Sequence, residues 1–271
     1  MIGIGLAIMI VSEAATLAKV EPFYSWNTPI CWTGFIVFAD AVVYRARGRS
    51  WMRSTPREFV WLVLLSIPLW LVFEGYNQII RNWYYVGLPE NWWLRMFGYA
   101  WAFATIWPAI FESADLVAVG TRRAGATGAR AAAASSGAAR PAPPASLIVI
   151  GAVMLLCPFV VSREIARYLA APVWLGFIFL LDPINARLGG PSLRDDPNRM
   201  IALLVGGLLC GALWEFWNYW SGAKWHYTVP IMEHVKIFEM PLPGYLGFPP
   251  FALECFTMFT FVRLMFRRVA S

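Results

Sequence analysis

Apolar residues run through this chain in long blocks separated by short polar segments. Eight blocks stand out, at 3–19, 28–45, 58–80, 96–119, 146–162, 171–187, 199–220 and 246–266. A helix crossing a bilayer needs roughly 20 residues at 1.5 Å rise each. The ten-residue alternation of a transmembrane barrel strand is absent. The pattern predicts an all-α polytopic membrane protein with about eight transmembrane helices.

One stretch cannot bury a core. Residues 121–146, "TRRAGATGARAAAASSGAARPAPPAS", contain little beyond Ala, Gly, Ser, Pro and Arg and read as a flexible cytoplasmic linker. A short poly-Ala helix over 129–135 would be stopped by the prolines that follow. The flanking segments, 1–120 and 147–271, resemble each other. "WTGFIVFAD" (32–40) matches "WLGFIFLLD" (174–182), and "FEGYNQIIRNWYY" (73–85) matches "WEFWNYWSGAKWHY" (214–227). "PAIFE" (108–112) matches "PFALE" (250–254), and Pro89 matches Pro230, always at an offset of 141 or 142. Repeated matches in register predict duplication. Four spans per half, an even number, give both copies the same orientation, so the repeats are parallel and related by an axis along the membrane normal.

Composition supports the membrane reading and charge orients it. The chain is 59% hydrophobic and 14% charged, where soluble domains run near 25% charged. Of its 22 Lys and Arg, 15 fall on the side of the linker and the termini and 7 on the other. The excess of positive charge marks the cytoplasmic face, with both termini cytoplasmic in a plasma membrane of bacterial inner type. The arginines flank spans without interleaved aromatics, which argues against nucleic acid. Cys31, Cys157, Cys210 and Cys255 form no C-x-x-C and read as small apolar core residues. The first span contains Glu13 and no convincing cleavage site, so it reads as a retained helix.

Candidate chemistry lies in the intramembrane carboxylates. An ionised carboxylate at the bilayer centre costs at least ~2.5 kcal/mol, so these groups should face the interior, paired or protonated. Duplication pairs Asp40 with Asp182, Glu74 with Glu215 and Glu112 with Glu254; Asp115 stands alone. Asp40 and Asp182 fall near cytoplasmic span ends, where Arg45 and Arg187 are the expected partners. Glu74 and Glu215 lie in the outer thirds of their spans, with Asn77 and Asn218 on the same helix face at i+3, and Arg81 continues that face. Trp214, Trp217, Trp225, Tyr227 and Tyr245 are candidate walls of a cavity. Interfacial anchoring accounts for part of this aromatic excess, and a buried Glu–Asn pair serves equally as interhelical glue. The second outer loop, "KWHYTVPIMEHVKIFEMPLPGYLGFPPFALE", is rich in proline and predicts a stiff, largely non-helical cap. A metal site from its His226, His234 and Glu239 lacks a helical register, and no metal or redox cofactor is expected.

Protonatable carboxyls in an aromatic, apolar setting suit non-redox cyclisation of an isoprenoid. The acid protonates a polyene, aromatic faces stabilise the cation by about 0.5–2 kcal/mol each, and a second carboxylate removes a proton. The motifs "WYY" (83–85) with "PAIFE", and "WHY" (225–227) with "PFALE", resemble the lycopene cyclase domains of bacterial and fungal carotenoid pathways. "WEF" (214–216) is similar to a Glu-bearing stretch of integral-membrane terpene cyclases. The double-Glu form of the cyclase motif is absent, since Ser113 follows Glu112 and Cys255 follows Glu254, and four spans per half exceed the usual three. The resemblance implies that Glu112 and Glu254 take the acid positions, with Glu74 and Glu215 as their partners. Asn77, Asn218 and the aromatic residues named above then bind substrate.

Two other classes fit the same residues: a transporter of a lipid-like substrate, and a non-catalytic pigment- or lipid-binding subunit of a membrane complex. The expected partners are a hydrophobic isoprenoid or lipid and the membrane lipids, and the sequence leaves a homo-oligomer open. The longer second outer loop points to the second half as the active one.

Overall fold

The computed structural model describes residues 1–121 and 143–269. The expected linker over 121–146, and any helix at 129–135, fall largely outside these residues. Helices α1 (Ile2–Leu17), α2 (Phe23–Arg47), α4 (Pro56–Ile80) and α5 (Trp92–Gly120) precede the gap, with a one-turn α3 (Trp51–Ser54). After it come α6 (Ala145–Val160), a one-turn α7 (Arg163–Ala166), α8 (Ala170–Arg187), α9 (Pro197–Trp220) and α10 (Phe248–Val269). Each long helix coincides with an apolar block of the sequence.

Among the described residues, five segments are long and apolar enough to cross a membrane: Phe23–Arg47, Pro56–Ile80, Trp92–Gly120, Pro197–Trp220 and Leu242–Arg268, the last including a 3₁₀ turn ahead of α10. Helices α1 and α6 are apolar but shorter, at 16 residues each. Helix α8, with 18 residues, ends in the polar stretch "DPINAR" and is not among the five. The chain is thus a helical membrane protein by length and composition of its helices.

Helix ends follow local chemistry. Asn91 caps α5 by accepting the Trp93 and Leu94 N–H groups at 2.9 and 3.2 Å. Asp196 accepts the Arg199 N–H at 2.9 Å ahead of Pro197 at the first position of α9. Gly48 ends α2 in the left-handed conformation that costs glycine least. Proline inside α5 disturbs the backbone ladder, and α4 supplies the remedy. The Ser66 hydroxyl donates to the Phe103 carbonyl and accepts the Trp107 N–H at 3.1 Å, one residue before Pro108. A buried side chain of one helix thereby completes the broken ladder of another.

Two close helix crossings use small residues. A Cβ on Gly5 of α1 would meet the Gly34 carbonyl of α2 at 2.5 Å, and a Cβ on Gly151 of α6 would meet the Gly176 carbonyl of α8 at 2.7 Å. Helix α2 then packs on α5 and α8 on α10, while α4 packs on α5 and α9 on α10. Helix α9 also packs along α5, joining the segments on either side of the gap.

The connections after α4 and α9 contain strands that the hydrophobic pattern did not predict. Strand β1 (Trp83–Val86) pairs antiparallel with β2 (Lys224–Tyr227), matching Trp83 with Tyr227, Tyr84 with His226 and Tyr85 with Trp225. A second small ladder joins β3 (Lys236–Ile237) to β4 (Met240–Pro241). These short ladders sit within an otherwise all-α architecture. Four residues flanked by aromatics resemble interfacial anchors, and their pairing partners lie far away in sequence.

At the end of the bundle away from these strands, Asp115 binds Arg199 at 2.5 Å and accepts the Trp51 indole N–H at 2.9 Å, with Arg47 at 3.7 Å. The expected partners of the paired aspartates are corrected. Asp40 accepts the Met52 N–H at 2.9 Å and lies 3.9 Å from Arg53, not Arg45. Asp182 accepts Ser192 Oγ and the Leu193 N–H, both at 2.8 Å, while Arg187 donates to the Pro143 and Pro183 carbonyls. In both places the chain returns to the carboxylate with N–H or O–H donors, which a long arginine side chain need not match.

The Gly151 crossing yields a test. Gly151→Val should separate α6 from α8 and destabilise the protein by about 1–3 kcal/mol, read as a lower melting temperature in detergent. Gly75→Ala, at an α4 position with open space around it, should leave stability unchanged or raise it by up to about 1 kcal/mol.

Candidate functional site

The site grows from two carboxylates near the C-terminal ends of α4 and α9. Glu74 is half-buried and Glu215 is fully buried. A strand returns over each. Tyr85 of β1 donates to Glu74 Oε1 at 2.6 Å, and Tyr227 of β2 donates to Glu215 Oε1 at 2.7 Å. Burial, followed by the adjoining carboxyl, pushes both phenols well above the ordinary tyrosine value, so each remains a hydrogen-bond donor.

The asparagines make these returns possible. Asn77 donates to the Trp83 carbonyl at 2.8 Å and accepts the Asn82 and Trp83 N–H groups at 2.9 and 3.2 Å. Asn218 donates to the Trp225 carbonyl and accepts the Trp225 N–H, both at 2.9 Å. Each amide copies a strand edge, Asn77 fixing the first residue of β1 and Asn218 the second residue of β2. The two side chains therefore hold the scaffold, with their polar atoms occupied by backbone.

The two carboxylates differ in wiring. Glu74 Oε1 also accepts the indole N–H groups of Trp70 at 2.9 Å and Trp83 at 3.2 Å. Around Glu215, the Trp225 indole N–H goes to the Tyr227 hydroxyl at 2.8 Å, and Glu215 Oε2 meets no donor among the described residues. A cleft of about 440 Å³ opens beside Glu74, bordered by Gln78, Arg81, Tyr84, Tyr85, Tyr99 and Thr228. The longer second loop pointed to Glu215 instead. That loop covers Glu215, and the shorter first connection leaves Glu74 accessible. Arg81 does not continue the α4 face; it sits beyond the helix end in a left-handed conformation and borders the cleft.

Glu112 and Glu254 are fully buried. Glu254 Oε1 accepts the Phe177 N–H at 3.3 Å. Glu112 lies beside Asp40 and Asp115, and neither of its oxygens receives a donor among the described residues.

The tryptophans form a continuous ring-on-ring core between the carboxylates. Trp70 lies within 5.7–6.1 Å of Phe73, Trp83, Phe103, Trp214 and Phe251, centroid to centroid. Trp217 meets Trp32 edge-on at 4.8 Å, and Trp214 meets Trp225 at 5.4 Å. Tyr245 stands apart and donates to the Ile237 carbonyl at 2.9 Å. Trp70, Tyr85 and Tyr99 were not singled out from the sequence. The i+4 spacing of Trp70 from Glu74 was the available signal for the first of these.

Outside this core, Glu239 binds Lys224 Nζ at 3.0 Å and His226 Nδ1 at 2.7 Å. His234 does not join them, and no group of three or more metal-ligating side chains is present among the described residues. Compared with known proteins, the chain matches no family model, no curated protein and no solved structure.

Burial alone would raise the Glu239 carboxyl, but hydrogen bonds and charge from Lys224 and His226 bring it below the ordinary value. A carboxylate depressed in the folded state contributes stability above its unfolded value of about 4.3, lost as pH falls through the lower folded value. Amide exchange over 236–241 should accelerate as pH is lowered through that range, after correction for the intrinsic rate. Glu239→Gln should remove this dependence.

Proposed function

We propose that the chain is an integral-membrane isoprenoid cyclase built from two parallel four-span repeats, with Glu74 as its reacting carboxyl. The carrying observation is the Glu74–Tyr85 pair: a carboxyl held by one oxygen, beside a cleft with aromatic walls. Volumes of about 300–1,000 Å³ suit small-molecule sites, and 440 Å³ accommodates the end of a long polyene while the remainder lies in lipid.

Several features support the repeat. Glu–Tyr and Asn–strand bonds recur in both halves, as do the Gly5–Gly34 and Gly151–Gly176 crossings. The β1–β2 register pairs each Trp with the other strand's Tyr, as a twofold axis through Tyr84 and His226 requires. All eight long helices then span the membrane, with both termini on the arginine-rich cytoplasmic side.

In the reaction, the Glu74 carboxyl delivers a proton to a terminal double bond. A ring C–C bond forms as a second double bond attacks the resulting cation, and an adjacent carbon returns a proton to the carboxylate. The product is an isomer of the substrate, so no redox cofactor is required. Tyr85, Trp70 and Trp83 hold one oxygen of the carboxyl and leave the other for the substrate. The rings of Trp83, Tyr84, Tyr85 and Tyr99 border the cleft and offer their faces to positive charge. Glu215, sealed beneath its loop, stabilises the second copy of the scaffold.

The test is pigment analysis in a host that accumulates lycopene. The wild-type chain should produce cyclic end groups. Glu74→Gln should lower their yield by about 10²–10⁴-fold at unchanged protein level in the membrane, and Glu215→Gln by far less. Unchanged lycopene with correctly inserted wild-type protein would count against a carotenoid substrate. Full product from Glu74→Gln would remove Glu74 from the chemistry.

A further inference from the structure

The outer segment from Ile231 to Leu246 inverts the pattern of a water-facing loop. Glu239 turns inward to Lys224 and His226, with its side chain only 12% exposed, and Met240 and Pro241 are buried beside it. Most of the segment's outward residues are apolar. Ile231, Met232, Val235, Ile237 and Leu242 are each exposed by 44–50%, and Leu246 by 77%. A patch of this kind on a folded chain marks an interaction surface.

The surface continues one that belongs to a membrane-spanning candidate. Phe216, Tyr219 and Trp220 project from the outer end of α9 and are 38–41% exposed. Phe238 lies on two of them, with ring centroids 5.8 Å from Phe216 and 5.5 Å from Tyr219. Phe238 occupies the first position of the β3–β4 turn with φ of 55°. Glycine adopts that backbone at least cost. The aromatic residue there places a ring on the outward face of α9. Glu233, His234 and Lys236 are also exposed, and polar groups interleaved with apolar ones suit the headgroup boundary, where interfacial segments bury their apolar side by about 5–10 Å.

We propose that residues 231–246 lie in the outer leaflet of the same bilayer, with their apolar side chains among the acyl chains and headgroups. The partner is the lipid surface itself. The inference rests on α9 being a membrane span, and the experiment separates the two claims.

Single cysteines are placed at Met232→Cys and Leu246→Cys in the loop and at Leu208→Cys, an exposed mid-helix position of α9. Each is labelled with an environment-sensitive fluorophore in a Cys157→Ala background, where the remaining native cysteines are buried. The full chain is reconstituted in phosphatidylcholine vesicles carrying nitroxide lipids labelled near the headgroup or deep in the chain. The loop labels should be quenched at least twofold more by the shallow nitroxide than by the deep one and be shielded from aqueous iodide. The Leu208 label should favour the deep nitroxide. Iodide quenching of both loop labels without nitroxide quenching, with Leu208 still quenched from lipid, would overturn the inference and leave the span intact. Iodide quenching at all three positions would overturn both. Phe238→Ala should shift the Leu246 label toward iodide by at least twofold, and no shift would reject the role of that ring as the anchor.

Discussion

A polar group inside hydrocarbon has no water to turn to, and each unpaired one costs several kcal/mol. This constraint organises the molecule. Ser66 closes the gap in the α5 ladder, Asn77 and Asn218 bond the backbone of Trp83 and Trp225 at the starts of the two strands, and Asp115 gathers Arg199, Trp51 and Arg47 at the opposite end of the bundle. The two ends of the structure are thereby fastened by different means. At one end, a charged cluster joins α5 to α9; at the other, a backbone ladder joins β1 to β2. Between them lies an aromatic core whose packing requires no polar partner beyond a few indole N–H groups.

That division explains why carboxyls so similar in sequence differ in accessibility. Glu74 and Glu215 each sit under a tyrosine from a returning strand, but the chain beyond β2 folds back as the β3–β4 hairpin and the 3₁₀ turn, while the chain beyond β1 enters α5 after a few residues. Cover over a site depends on where a loop returns, and a long loop returns over its own half.

Helix positions were legible in the sequence because an apolar run long enough to span is a local property. The structure begins and ends most of them within a few residues of the blocks. The Glu–Asn spacing was equally legible, as was the recurrence of Trp and Tyr after it. The use of the asparagines was not, because an amide that anchors a strand and one that binds a ligand look alike without the backbone that meets it. Asp40 and Asp182 illustrate the same limit: adjacent arginines suggested ion pairs, and the chain supplied N–H donors from the residues around Met52 and Leu193. The ladder was hidden for a different reason, since each strand is four residues long and its partner lies some 140 positions away.

The β1–β2 register has one more implication. A Trp-x-Tyr strand that pairs Trp with Tyr in both directions is self-complementary: read from either side, the order of side chains is the same. A single four-helix unit bearing such a strand would expose an unsatisfied backbone edge, and a second copy of itself could complete it without any change of residue. An isologous pair of identical strands takes this same register, each presenting to the other the edge it receives.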